Sequence, residues 1–245
     1  MISFVILGFL AQLIDGCLGM AYGVFLTTFL VVQGVPLVNA SSSIHFSEVF
    51  TTLASGISHW KFKNIDWTMF KKLTLAGVLG GVLGAYILTS LNGEKLQPFV
   101  SFYLLLLGLR ILLKVHKKLV FKDALRHLVP LGLIGGFFDA IGGGGWGPIV
   151  TSSLIAKGNT PSKAIGTVNS AEFFVTLAQS ATFVTLIGVG NWKIILGLII
   201  GGMIAAPVSA YLCRRINQKI LMILVGLLIV FTNIYALYNW WGKTW

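Results

Sequence analysis

Four of the chain's seven acidic residues form two matched pairs: Asp15 with Asp139 and Glu48 with Glu172, each pair 124 positions apart. Each aspartate opens a glycine-rich run, DGCLGMAYG from Asp15 and DAIGGGGWGP from Asp139. Each glutamate follows a polar residue by three positions, His45 before Glu48 and Asn169 before Glu172, a spacing that shares one helical face. Carboxyl groups in apolar surroundings can carry protons or cap helix ends. Glycine turns reach φ > 0 and let a ligand approach the main chain. A helix starting after such a turn aims free N–H groups and the positive end of its dipole at that ligand, which makes an anion cradle. In the second run the cradle is Gly142, Gly143, Gly144 and Gly145, and Pro148 suits the first helical turn beyond it. Gly16 and Gly19 are the first-run candidates for the same task.

Other chemistries have weaker support. Gly142, Gly144 and Gly147 spell G-x-G-x-x-G, but a dinucleotide fingerprint needs a strand before it and a βαβ unit around it. No Lys-Ser/Thr follows, so there is no phosphate-binding P-loop, and no G-x-S-x-G marks a nucleophile. His59, His116 and His127 lack metal-ligand spacing, and Cys17 and Cys213 lie in separate segments. No catalytic residue, metal or cofactor is therefore expected. Close helix packing is the competing use for the glycines, although it leaves the adjacent aspartates unexplained.

The elements that must hold these residues are apolar. Of 245 residues 56% are hydrophobic and only 10% charged, with mean hydropathy +0.88, where a soluble domain is typically about a quarter charged. Apolar runs cover 2–14, 18–33, 44–60, 69–91, 96–113, 128–138, 146–156, 164–187, 192–213 and 220–241. In lipid only helices satisfy the backbone of such runs. The fold class is thus an all-α polytopic membrane protein, placed in the bacterial cytoplasmic membrane. The N-terminus MISFVILGFL has no basic region of a cleavable signal. The net charge of +11 sits mainly in short loops, as membrane topology requires, so nucleic acid is not an expected partner. Trp60, Trp67, Trp192, Trp240, Trp241 and Trp245 lie near segment ends and read as an interfacial belt.

The offset of 124 extends beyond the acids. Gly19, Gly23, Thr27, Gly34 and Ala40 fall on Gly143, Gly147, Thr151, Gly158 and Ala164, and one added residue aligns Trp67 with Trp192. The chain divides into a first membrane repeat (1–113), a basic linker (114–127) and a second repeat (128–245). Lysines and arginines concentrate in 61–72, 114–127 and 213–219. With those three in the cytoplasm, equivalent loops of the two halves fall on opposite sides, which is the inverted-repeat plan of many secondary transporters. Both termini then face away from the cytoplasm. Residues 2–33 and 128–157 are too short for two full spans of about 20 residues plus a turn. Each reads as a re-entrant hairpin with its glycines at the tip, followed by about three full transmembrane helices. Glu48 and Glu172 sit about one turn into their helices after hydroxyl-rich starts that look like caps. Acids at that depth are functional candidates, as proton carriers or as caps on the hairpin tips; for Asp15 and Asp139 capping is the expected role.

The stretch GGFFDAIGGGGWGPIVTSSLIAKGNTPSKAIGTVNSAEFF resembles the second-half signature of the TauE/SafE family of membrane permeases, the sulfite exporter family. DGCLGMAYGVFLTTFLVVQGVPLVNASSSIHFSEVF resembles that family's N-terminal repeat, with MAYG in place of the glycine cluster and no proline after it. The resemblance implies a permease for sulfite, a sulfonate or a related small anion, driven by protons. Gly142, Gly143, Gly144, Gly145, Pro148, Asn169 and Glu172 carry over by motif position, and His45 stands at the first-half counterpart of Asn169. The expected partners are a small anion, the lipid bilayer and protons. Two other readings fit the same residues: a cation or metal transporter using the four acids, and a membrane enzyme handling a sulfur group on Cys17.

Overall fold

The computed structural model describes residues 1–91, 93–114, 127–157, 159, 161–212 and 218–243. Among them every regular element is helical: α1 (Ile2–Leu18), α2 (Tyr22–Val32), α3 (Leu37–Lys61), α4 (Trp67–Ser90), α5 (Gly93–Lys114) and α6 (Leu128–Gly142). A π-helical turn (Gly147–Thr151) then runs into α7 (Ser152–Ala156), followed by α8 (Pro161–Ile187), α9 (Trp192–Leu212) and α10 (Gln218–Lys243). Most of the basic linker, Cys213 and the side chain of Cys17 lie outside the described residues.

Trp67–Ser90, Leu96–Leu113 and Lys163–Ile187 are long and apolar enough to cross a membrane unaided. Other apolar helices are shorter. The 11 residues of α2 extend about 16 Å, roughly half the hydrocarbon core of a bilayer. The exterior carries Phe99, Leu75, Leu79 and Phe231, while Thr27, Ser41, Ser43, Asn169 and Gln179 are buried. Apolar side chains outside and hydrogen-bonded polar groups inside suit a solvent of lipid.

The helices pair in a way that survives exchange of the two halves. α1 runs along α9 and α6 along α4, while α3 pairs with α8 and α5 with α10. Glycines set the first two contacts. A Cβ on Gly8 would stand 2.6 Å from the Leu198 carbonyl, and one on Gly84 would stand 2.5 Å from that of Phe137. Gly80 presses on the Leu133 carbonyl in the same seam, so it is a packing position rather than an ordinary place on a span. Connections repeat as well: Asp66 accepts the N–H groups of Thr68 and Met69 at the start of α4, and Asn191 accepts that of Lys193 at the start of α9. Lys63 and Gly188, at equivalent points before those helices, both have left-handed backbone (φ 56° and 76°).

One expectation shifts. α3 begins at Leu37 and α8 at Pro161, so Glu48 and Glu172 lie about three turns inside their helices, not one. The hydroxyls that look like caps in the sequence bond to carbonyls instead. Ser41 donates to Ala140, Ser47 to Ile44 and Ser170 to Gly166. Deep placement on α3 and α8 brings both glutamates level with the hairpin tips.

Candidate functional site

α1 and α6 end alike. Gly19 (φ 63°) and Gly143 (φ 60°) adopt left-handed backbone, and their N–H groups return to the carbonyls of Asp15 and Asp139. A side chain there would cost roughly 1–2 kcal/mol, which explains glycine at both positions. The chain then reverses, and each aspartate side chain caps the arm seven residues on. Asp15 Oδ1 accepts from the Tyr22 N–H at 3.3 Å, and Asp139 Oδ1 accepts from the Trp146 N–H at 2.9 Å. Asp139 Oδ2 also accepts from Gln179 Nε2 at 3.1 Å.

The two turns meet main chain to main chain. A Cβ on Gly23 would lie 2.5 Å from the Gly143 carbonyl and 2.6 Å from Gly144 Cα. Its repeat mate Gly147 faces Met20 Cα at 2.7 Å and the Gly19 carbonyl at 3.0 Å. Gly144 is closer still to the backbone of Gly23 and Val24. These glycines let two hairpin tips touch, so close packing accounts for part of the run.

Beside the contact lies a cavity of about 200 Å³ of empty space, lined by Asp15, Ala21, Tyr22, Gly23, Val24, Glu48, Asp139, Gly144, Gly145, Gly147, Pro148 and Glu172. All four paired acids reach it, and no lysine or arginine does. Among the described residues, no acceptor pairs with the N–H groups of Gly23, Val24 and Gly145. As it stands the space holds little more than one water-sized body, so an oxyanion enters only if the tips separate.

The two glutamates differ in company. His45, fully buried, places Nδ1 2.9 Å from Glu48 Oε2 and Nε2 3.2 Å from the Asp139 carbonyl. Phe183 stacks on the imidazole at 6.1 Å between ring centres. Glu48 itself is 3% exposed. Asn169 turns elsewhere, donating to Ser55 Oγ at 2.9 Å. Glu172 is only partly buried, and its carboxyl group has no hydrogen-bond partner among the described residues. Thr52 and Thr176 bond to the Glu48 and Glu172 carbonyls in the same way, so the helix frame repeats although the carboxyl environments do not.

Of the residues singled out in the sequence, Gly144, Gly145, Pro148 and the four acids line the cavity. Gly16 faces Ser209 on α9, Gly19 faces Ile165, Gly142 faces the Tyr103 ring, and Gly143 faces Thr27 and Ser41. His45 and Asn169 bond within the protein and do not line the space. Tyr22, Gly23 and Val24 line it without having been picked out as binding residues. Their signal was the offset of 124, which sets Tyr22 against the aromatic Trp146 and Gly23 against Gly147. Trp146 is fully buried and donates its indole N–H to Val168. Nothing in the sequence points to Gln179, 40 positions from the aspartate it serves.

His45, Glu48 and Asp139 bring one ligand-type atom each to within 4.8 Å of one another. Those atoms are already taken up: Nδ1 by Glu48, and the Asp139 oxygens by Trp146 and Gln179. The cluster is closed upon itself.

The family model described as Sulfite exporter TauE/SafE matches residues 4–236. A probable membrane transporter protein of Bacillus subtilis, YtnM, is 42% identical over 253 residues, covering 98% of this chain and 84% of its own length. A second from the same organism, YunE, is 22% identical over 272 residues, covering 95% of this chain and 98% of its own. A probable membrane transporter protein of Xylella fastidiosa is 24% identical over 242 residues, covering 90% and 89%. No solved structure matches the chain.

Proposed function

The chain belongs to the TauE/SafE family of integral membrane transporters, and on that premise we propose that it is a proton-coupled secondary transporter of a small sulfur oxyanion, sulfite or a sulfonate, in the bacterial cytoplasmic membrane. It comprises two inverted repeats, each a re-entrant hairpin plus three helices. The observation that carries the reading is the cavity between the hairpin tips, where unpaired backbone N–H groups and an unpartnered Glu172 face one space. Neutral donors at helix starts can hold an oxyanion and release it again. An ionised Glu172 opposes that binding. Two like unit charges about 4 Å apart repel by about 4 kcal/mol at an effective dielectric near 20. Anion and proton therefore favour one another's entry, which is coupling by electrostatics alone.

The helix pairing that survives exchange of halves supports the inverted repeat, and the short α2 and α7 support re-entrant arms. An accessibility test decides the topology: in a variant lacking Cys17 and Cys213, a cysteine placed at position 118 is expected to react only from the cytoplasmic side. Substrate class is tested by stabilisation and solid-supported-membrane currents with sulfite, sulfate, thiosulfate, sulfonates and carboxylates. Sulfur oxyanions are expected to stabilise the protein and carry current. The acid-only lining favours a second reading, transport of a cation. Stabilisation by cations and indifference to every anion would establish that reading instead.

A further inference from the structure

The contacts of His45 define a proton inventory. The Asp139 carbonyl offers only lone pairs, so the 3.2 Å approach of Nε2 is attractive only when Nε2 carries hydrogen. At Nδ1, 2.9 Å from Glu48 Oε2, either an N–H donates to a carboxylate or a carboxylic acid donates to the ring. Imidazolium with carboxylate satisfies both contacts, and so does imidazole with carboxylic acid. These two forms hold the same number of protons, one more than neutral imidazole with carboxylate. Remove that proton and a lone pair must face either the Asp139 carbonyl or the Glu48 carboxylate. One contact then fails.

We propose that the His45–Glu48 pair is a proton-binding site and that its occupancy pins α3 to the tip of the second hairpin. The carbonyl that reads the proton is the one where α6 ends. It also receives the N–H groups of Gly143 and Gly144, and Gly144 lines the cavity. Losing the proton frees the turn from His45, so proton occupancy and the width of the cavity change together. The ionisable groups facing the pair are Asp15 on α1, Tyr22 on α2, Asp139 on α6 and Glu172 on α8. α9 also packs on α3 but contributes no residue to the cavity, and no basic side chain lines it. The second half holds no equivalent, because Asn169 stands where His45 does and bonds to Ser55. A proton-linked device is therefore built into one half of a repeated frame.

The inference rests on the proton-coupled reading above, but its test needs no substrate. Full-length protein labelled with 15N-histidine, in lipid bilayers, reports the protonation of each ring nitrogen by solid-state NMR; His45→Asn identifies the His45 signals by their loss. At low pH Nε2 is expected to carry hydrogen, and one proton is expected to leave the pair as pH rises. In Glu48→Gln the amide can donate to Nδ1 as the protonated acid does, so the titration step is expected to vanish with Nε2–H retained. A ring holding its only proton on Nδ1 throughout, or titrating alike in wild type and Glu48→Gln, overturns the proposal. Either result can be read in protein for which no transported anion has been found, so a failure of the transport reading remains separate.

Discussion

The first hairpin turns through Gly19, Met20 and Ala21 into Tyr22; the second turns through Gly143, Gly144 and Gly145 into Trp146. Both keep the left-handed glycine, the aspartate cap and the close tip contact. They part company at the acids behind them. Glu48 is clasped by His45, whereas Glu172 stands unpartnered because Asn169 is drawn to Ser55. The frame depends on main-chain geometry that few residues satisfy, so it recurs. The polar groups on α3 and α8 carry no such backbone constraint and have diverged, leaving one acid closed and one open.

The largest effect expected is on the shared frame. Gly144→Val drives a branched side chain into the main chain of Gly23 and Val24. Overpacking costs about 1–3 kcal/mol even where side chains can yield, and backbone yields less. A loss of at least about 5 °C in the thermal midpoint, or failure to insert, is expected. Gly56→Val is the control, since its nearest neighbour, Ser170 Cα, lies at an ordinary 3.5 Å. Equal behaviour of the two variants in a detergent melt would remove the tip contact from the account.

Next comes the open acid against the closed one. Glu172→Gln mimics the protonated acid, so exchange of substrate is expected to continue while the dependence of transport on the pH gradient is lost. Glu48→Gln is expected to slow exchange itself, because it holds α3 against the second tip. Reconstituted counterflow and pH-driven flux, measured side by side, separate these outcomes. Identical phenotypes would mean that the repeat duplicates the role of its acids and that the divergence around them is silent.

Much of this frame was legible in the sequence for a physical reason. Four acids in so apolar a chain are costly, and a common offset of 124 relates them. Glycine at 19 and 143 and aspartate at 15 and 139 belong to local geometry, within a turn or two of what they serve. The asymmetry was hidden because it is tertiary. His45 and Asn169 occupy the same register, and only the reach to Asp139 or Ser55 tells them apart. The hydroxyls of SSS at 41–43 misled because serine that caps a helix and serine that bonds a neighbouring carbonyl read alike. Gly80 did so too, since a glycine pressed against the Leu133 carbonyl is indistinguishable in sequence from one facing lipid.

Smaller effects are expected at the caps. Loss of a helix-capping acceptor costs about 0.5–2 kcal/mol. Asp139→Ala belongs at the upper end, because it also strands the Gln179 amide, while Asp15→Ala removes a single bond of 3.3 Å. Thermal midpoints are expected to fall further for Asp139→Ala. The reverse order would mean that the first tip bears more of the structure than its hydrogen bonds show.

The smallest effect distinguishes the turns themselves. Ala21 sits at φ 102°, a conformation that L residues rarely adopt, whereas its counterpart Gly145 is not left-handed. The equivalent position holds the residue that needs no help in the half that imposes no strain, and alanine in the half that does. Relief of the left-handed penalty is worth roughly 1–2 kcal/mol, and glycine gives back about 0.5–1 kcal/mol through the freedom of the unfolded chain. Ala21→Gly is therefore expected to raise the thermal midpoint by no more than a few degrees. Its transport consequence runs the other way if the strain is used. A first tip relaxed into its closed shape releases the second less readily, and exchange slows while stability rises. A variant that gains stability with unchanged exchange would assign the strain at Ala21 to the fold alone and leave the working asymmetry with His45 and Glu48.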